Sequence, residues 1–418
     1  MSAKITTLSN GAEGVFIKSN RFNTTLVSFN FYVPLSSETA AEYALLPFVL
    51  TTCSKKYPDF SRLNFKLAKL YGANLSASAE KVGDFQLLKI AISVIDDRFT
   101  LDGELLCDNA MSLLTELVFE PKVENGEFCY DDVEREKRKA IEHIRGDLAQ
   151  KRVYAKKRLI EEMYKDEPYG TPKCGTEEMV EKITGASLYN VWQKLLSTAF
   201  LRVNVISRSM PSDLFNKISE KLDNICRDDI TDCTNSTPTL PAKKPNTVIE
   251  TMDIAQGKLC MGFSSELYGD DSKTAALTVM CDIFGGGPYS RLFTNVREKM
   301  SLCYYSAASS VKAKGLITVD SGVEKENAEK ALKEILNQLK VIKQGEFTDE
   351  EFESSIKSIT DSFKSYNDSQ GLLDAWYSIK IVKDRLLSPE DAVELIQNVT
   401  RDDVINAANG VKLHTVYK

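Results

Sequence analysis

The order of elements in the first half of this chain returns in the second, and that repetition limits the available folds more than any single motif. Residues 61–71 read as a helix with Leu63, Leu67 and Leu70 on one face, closed by Gly72. Residues 73–79 and 85–94 follow as two strands joined at Lys81-Val82-Gly83-Asp84. At an offset of 229 residues, Ser61-Arg62-Leu63 falls on Ser290-Arg291-Leu292 (61 onto 290). Helix 290–299 then lies on the first helix, and strands 302–311 and 316–322 lie on the first hairpin. Gly72 falls over Ser301 and Leu75 over Tyr304, while helix 38–52 falls roughly over helix 271–284. Residue identities are sparse, so the repetition is one of order.

Between the copies, Asp228 to Thr247 is rich in Asp, Asn, Ser and Thr and carries Pro238, Pro241 and Pro245, as an interdomain linker does. The expected organisation is an N-terminal domain at 1–227, a linker at 228–247 and a C-terminal domain at 248–418. The expected class is α+β, with two homologous α/β domains. The remaining pattern predicts a hairpin from 14–18 and 25–34 around Asn20-Arg21-Phe22-Asn23. It also predicts a helix over 99–119 stopped by Pro121, and one long charged helix over 131–165. Strands are expected at 202–207, 258–264 and 412–417, and further helices at 176–183, 187–198, 212–223, 326–345, 348–367, 372–385, 389–398 and 401–408.

Composition excludes several chemistries. Only His143 and His414 are present, which leaves almost nothing for a histidine-based triad or a multi-histidine metal site. The nine cysteines are scattered with no Cys-x-x-Cys pair, a pattern suited to a reducing cytoplasm. Met1 to Gly11 is polar and unlike a signal peptide, and no apolar run is long enough to span a bilayer. The expected location is therefore cytoplasmic, with no membrane partner. A net charge of −7 with both signs interspersed argues against a nucleic-acid partner.

The chemistry-bearing candidates cluster at 285–305. Gly285-Gly286-Gly287 lacks the lysine and Ser/Thr of a phosphate loop and reads as a tight helix-to-helix turn, whose glycines can take backbone angles closed to other residues. Leu292, Phe293, Val296 and Met300 recur at helical spacing, which gives the helix a buried face. Arg297 and Tyr304 bracket the passage from helix to strand. Singly, the first reads as a surface charge and the second as a core aromatic; together, both can donate to peptide carbonyls. The acids and bases of 131–165 read as a solvated face laced with ion pairs, with His143 at or near the surface. Cys53 and Cys303 lie near the two motif regions, but no neighbouring histidine is available to activate a thiol.

Residues 285–305 resemble the C-terminal-half signature of the insulinase-like zinc peptidases, the family of pitrilysin and the mitochondrial processing peptidase. The resemblance lies in the glycines, Ser290-Arg291-Leu292-Phe293, Arg297-Glu298-Lys299 and Leu302 with Tyr304. Tyr169-Gly170-Thr171-Pro172 with Gly175-Thr176 is similar to a feature of that family's first half. The resemblance implies two homologous domains, each a mainly antiparallel sheet with helices packed on it. It also implies that Arg297 and Tyr304 hold substrate backbone carbonyls. Active members carry His-x-x-Glu-His on the first apolar helix, where two histidines bind zinc and the glutamate is the general base. Here Ala44 and Phe48 fall on the ligand positions and Pro47 on the base, with Glu136 or Glu134 matching the remaining ligand. The implied protein has no catalytic residues, metal or cofactor of its own. It would be a non-catalytic subunit that helps to enclose a chamber and bind peptide for an active, zinc-bearing partner of the same family. The alternative is a scaffold or peptide-binding homodimer of the same fold.

Overall fold

The computed structural model describes residues 3–211, 214–233, 237–269, 271–380 and 386–418. The chain forms two compact units, and neither is a continuous half of it. Met1–Arg145, Thr171–Asn235 and Tyr366–Ser388 make the first; Gly146–Gly170, Ser236–Ser365 and Pro389–Lys418 make the second.

In chain order, the first unit begins with β1 (Ala3–Thr7), β2 (Glu13–Lys18), β3 (Thr24–Pro34), α1 (Ala40–Leu50) and α2 (Phe60–Lys69). β4 (Asn74–Val82), β5 (Phe85–Ile95), α3 (Leu106–Phe119), a short ribbon of β6 (Val123–Glu124) and β7 (Glu127–Phe128), and α4 (Tyr130–Ala149) follow. α5 (Lys151–Met163) belongs to the second unit. The chain then returns to the first for α6 (Glu177–Glu181), α7 (Gly185–Thr198), β8 (Phe200–Ser207) and α8 (Leu214–Asp223). The second unit continues with β9 (Asn246–Val248), β10 (Gly257–Ser264), α9 (Asp271–Gly285), a helix at Leu292–Lys299, β11 (Cys303–Val311), β12 (Leu316–Val323), α10 (Ala328–Lys343) and α11 (Asp349–Ser365). α12 (Gln370–Ile379) joins the first unit, and α13 (Pro389–Gln397), α14 (Arg401–Asn409) and β13 (Lys412–Tyr417) complete the second. The end of the expected helix 372–385 lies outside the described residues.

The duplication is explicit in the sheets. The first runs β1-β2-β8-β3-β5-β4 and the second β11-β12-β10-β13-β9. Read from the opposite edge, β9-β13-β10-β12-β11 repeats β2-β8-β3-β5-β4. The strand senses repeat too: β2 with β8 and β9 with β13 are parallel, and the other pairs are antiparallel. Gly72 (φ 74°) and Ser301 (φ 50°), superposed by the 229-residue offset, both adopt the left-handed conformation that ends a helix.

Three expectations are corrected. β2 and β3 are not a hairpin, because β8 lies between them and pairs with both. The short polar turn permits a hairpin, but strand periodicity fixes a buried face and not a neighbour. The expected helix 99–119 begins only at Leu106, with a single 3-10 turn at Asp97–Phe99 before it. The expected helix 131–165 breaks at Gln150, whose ψ of 92° is extended. Beyond the break, the basic residues do more than face solvent. Arg152 Nε lies 2.5 Å from the carboxylate of buried Asp320, and Arg158 pairs with Glu161, Glu162 and Glu250.

β3 and β8 are central strands whose apolar residues are interrupted by Ser28, Asn30 and Asn204, all fully buried. α12 satisfies them. The Asp374 carboxylate accepts hydrogen bonds from Ser28 Oγ (2.6 Å) and Asn204 Nδ2 (2.9 Å), and pairs with Lys89 Nζ at 2.5 Å. Ser378 Oγ donates to Asn30 Oδ1, and Tyr32 donates to the Ser378 carbonyl at 2.6 Å. A helix from late in the sequence thus completes the polar seam of the first unit's sheet.

Candidate functional site

The site in the second unit is built from a close approach at Gly285, a π-wound helix and a β-bulge. α9 is apolar and buried over most of its length and runs into Gly285-Gly286-Gly287. None of these glycines takes a positive φ, so the backbone freedom that glycine offers is not what is used here. Close packing explains them instead. A Cβ on Gly285 would lie 2.5 Å from the Ala308 amide nitrogen of β11 and 2.8 Å from its Cβ. Gly285→Ala is expected to cost about 1–3 kcal/mol by overpacking and to lower the melting temperature by several degrees, checked by thermal unfolding.

The following helix is held from below. Leu292 and Val296 are buried as expected, whereas Phe293 is only partly buried and Met300 is exposed; Arg291 forms a shielded pair with Glu351 (3.0 Å) while donating to Gln338. Its winding is wide, with i→i+5 hydrogen bonds such as Met300 N–H to Asn295 O at 3.1 Å. Such π-winding is rare and recurs at functional sites. Arg297 emerges here half-exposed. Its guanidinium lies 4.5 Å from the Phe293 ring centroid and 3.6 Å from Glu298. The i,i+4 spacing of Phe293 and Arg297 was the available signal for that stacking.

Tyr304 occupies a β-bulge. Cys303 pairs with Val323 and Tyr305 with Gly322, which leaves Tyr304 as the extra residue on β11. A bulge re-aims the side chain it carries. Tyr304 is 58% exposed, so the core-aromatic reading is wrong. Its hydroxyl donates to Glu324 Oε1 at 2.9 Å, and that acceptor raises the phenol's pKa, keeping the proton on oxygen. β11 is an edge strand of its sheet. Neither the bulge nor Glu324 has a signal in the residue pattern.

The family-implied zinc positions lie in the first unit. Ala44 and Pro47 are buried in α1, and Phe48 is exposed on the same helix. None carries a donor atom for a metal. Glu136, on α4, is buried, and its carboxylate is taken up by Arg135 Nε (3.2 Å) and Lys139 Nζ (2.9 Å). One carboxylate already engaged by two cations, together with three side chains that carry no donors, does not fit a tetrahedral zinc site. Among the described residues, no group of three or more His, Cys, Asp or Glu is arranged to hold a metal. Cysteine chemistry fits no better. Burial pushes the thiols of Cys53 and Cys303 up to about 11, leaving both protonated at neutral pH, although Arg297 pulls Cys303 the other way.

Gly170 and Gly175, in the 169–176 stretch, have packing roles. A Cβ on Gly175 (φ 66°) would lie 2.8 Å from Ala41 Cβ on α1. Tyr169 packs edge-to-face on Tyr164, and Lys314, fully buried, lies 5.3 Å from both ring centroids. His143 is exposed, and His414 is partly buried on β13.

Fold and site together define a duplicated α/β chain in which Arg297 and Tyr304 reach solvent and, among the described residues, no group of side chains is arranged to hold a metal. Residues 182–359 match the family described as peptidase M16 inactive domain. A Bacillus subtilis protein named "probable inactive metalloprotease YmfF" is 30% identical over 414 residues, spanning 97% of this chain and 95% of that one. A conserved protein of Enterococcus faecalis, solved by crystallography, shares 26% identity and superposes with a TM-score of 0.91, covering 99% of this chain and 97% of its own. A peptidase M16 inactive domain from Pseudomonas fluorescens, 18% identical, shares the fold at a TM-score of 0.78, with 100% of this chain and 98% of that one covered. This chain belongs to the M16, or insulinase-like, metallopeptidase family, as a homologue of its inactive members.

Proposed function

We propose that this chain is the cytoplasmic, zinc-free subunit of a two-chain M16 peptidase. Its second unit grips extended peptide, and an active partner carrying His-x-x-Glu-His supplies the zinc and the general base. The two chains together enclose the peptide. The observation that carries this reading is the contrast between the halves. Arg297 and Tyr304 are held outward by a π-wound helix and a bulged edge strand, while the corresponding chemistry on α1 is replaced by Ala44, Pro47 and Phe48. Gripping a peptide needs only donors. Arg297 presents its fork to backbone carbonyls, and Tyr304 has one proton to give. The open edge of β11 can pair with the peptide main chain.

That single phenolic proton makes Glu324 a competitor. Peptide must take the Tyr304 hydrogen bond from the carboxylate 2.9 Å away. Glu324→Gln weakens that bond, and an extended labelled peptide is expected to bind the purified chain about two- to fivefold more tightly by fluorescence anisotropy. No peptide binding by either protein would contradict the grip.

A scaffold or homodimer role is the second reading, favoured by the intramolecular partners of both residues: Phe293 and Glu298 for Arg297, and Glu324 for Tyr304. The substitutions discussed below separate the two.

A further inference from the structure

The second unit contains a cavity of about 370 Å³ that the peptide grip does not use. α5, the segment 249–258, the end of β12, the start of α10 and the end of β13 wall it. Its interior is apolar, with Ala155, Met252, Ile254 and Val323 among the lining residues. Its charges are unequal. Glu250 is satisfied internally, accepting from Tyr154 (2.7 Å) and Tyr417 (2.6 Å) and lying 3.5 Å from Arg158. Glu329 is paired with Lys418. Lys151, Lys258 and Lys325 also line the cavity. The bonds found for two of them are to neutral groups: Lys151 donates to the Leu148 carbonyl and Lys258 to Gln256 Oε1. Lys325 is exposed at the foot of α10, where the helix dipole adds to the positive field. An apolar chamber with spare cations is complementary to an amphipathic anion.

We infer that this cavity binds an aliphatic carboxylate, with its chain among Ala155, Met252, Ile254 and Val323 and its carboxylate toward Lys151, Lys258 and Lys325. At about 30 Å³ per water-sized group, the volume accepts roughly a dozen non-hydrogen atoms, the size of a medium-chain fatty acid. The inference is independent of the peptide-grip reading: Val323 adjoins that site, pairing with Cys303 across the β11–β12 ladder, but neither Arg297 nor Tyr304 lines the cavity.

The test is calorimetric titration of the full-length chain with decanoate, below its micelle concentration, alongside decanol. Saturable one-to-one binding of decanoate, clearly tighter than decanol, is expected. Lys258→Met and Lys325→Met should each weaken it about fivefold, and added salt should weaken it further. Ile254→Asp, on a partly exposed segment, places a negative charge against the ligand and should abolish binding while far-UV circular dichroism and melting remain those of the parent. Absence of saturable binding overturns the inference. So does equal affinity for decanol, or decanoate binding unchanged in Ile254→Asp and in both lysine variants.

Discussion

Replacing Asp374 with alanine should lower the stability of the first unit by roughly 3–5 kcal/mol, seen as a large fall in the urea midpoint. The Asp374 side chain is 4% exposed and that of its partner Lys89 15% exposed. Truncation strands the Lys89 ammonium and removes the acceptor used by Ser28 and Asn204 within a central part of the sheet. The cost is that of an uncompensated buried charge plus unpaired donors. Asp374→Asn keeps the shape but faces an amide against the ammonium, so an intermediate loss is expected. Lys89→Met combined with Asp374→Leu removes both charges and should recover much of the stability, because an apolar pair avoids the desolvation of both ions. The chain's two tryptophans, Trp192 and Trp376, both belong to the first unit, so their fluorescence reports its unfolding. Equal midpoints for the parent and Asp374→Ala would show that α12 does not hold the sheet in this way.

The second large effect is on turnover. In a reconstituted two-chain peptidase, Arg297→Ala should lower kcat/KM about tenfold to a hundredfold, the loss of a charge-assisted hydrogen bond of roughly 1.5–3 kcal/mol. Tyr304→Phe removes one neutral donor and should cost about two- to tenfold. Arg297→Lys keeps the charge but lacks the planar fork and its stacking on Phe293, so it should fall between the parent and Arg297→Ala. The partner's zinc content should not change in any of them. The thermal stability of Arg297→Ala should also be close to that of the parent, since the side chain is 40% exposed and its ion partner Glu298 more so. Unchanged turnover in Arg297→Ala and Tyr304→Phe would favour the scaffold reading.

Much of the architecture is legible in the residues because helix and strand periodicities are local. The helix 61–71, the β4–β5 and β11–β12 hairpins and the 229-residue repeat all follow from spacing and turn residues. What is not legible depends on partners distant in sequence. The insertion of β8 between β2 and β3 is set by a strand more than 160 residues further along the chain, to which no local pattern points. The polar residues inside β3 and β8 did carry a signal: Ser28, Asn30 and Asn204 in apolar runs demand buried partners, and Gln370, Asp374 and Ser378 recur on one face of α12. The empty zinc positions at Ala44, Pro47 and Phe48 were plain, because a missing donor can be read from residue identity alone. The outward aim of Tyr304 was not, since it rests on one unpaired residue in the β11–β12 register. The glycines were noticed for the wrong reason, because a close approach to Ala308 leaves no trace in a turn-like sequence.

The proposed function is a division of labour between this chain and another. The direct measurement is peptide cleavage by the purified chain, assayed with zinc, alone and after addition of a purified M16 homologue that carries His-x-x-Glu-His. The account predicts no cleavage by this chain alone and zinc-dependent cleavage by the mixture, well above that of the homologue by itself. Zinc-dependent cleavage by this chain alone would contradict it.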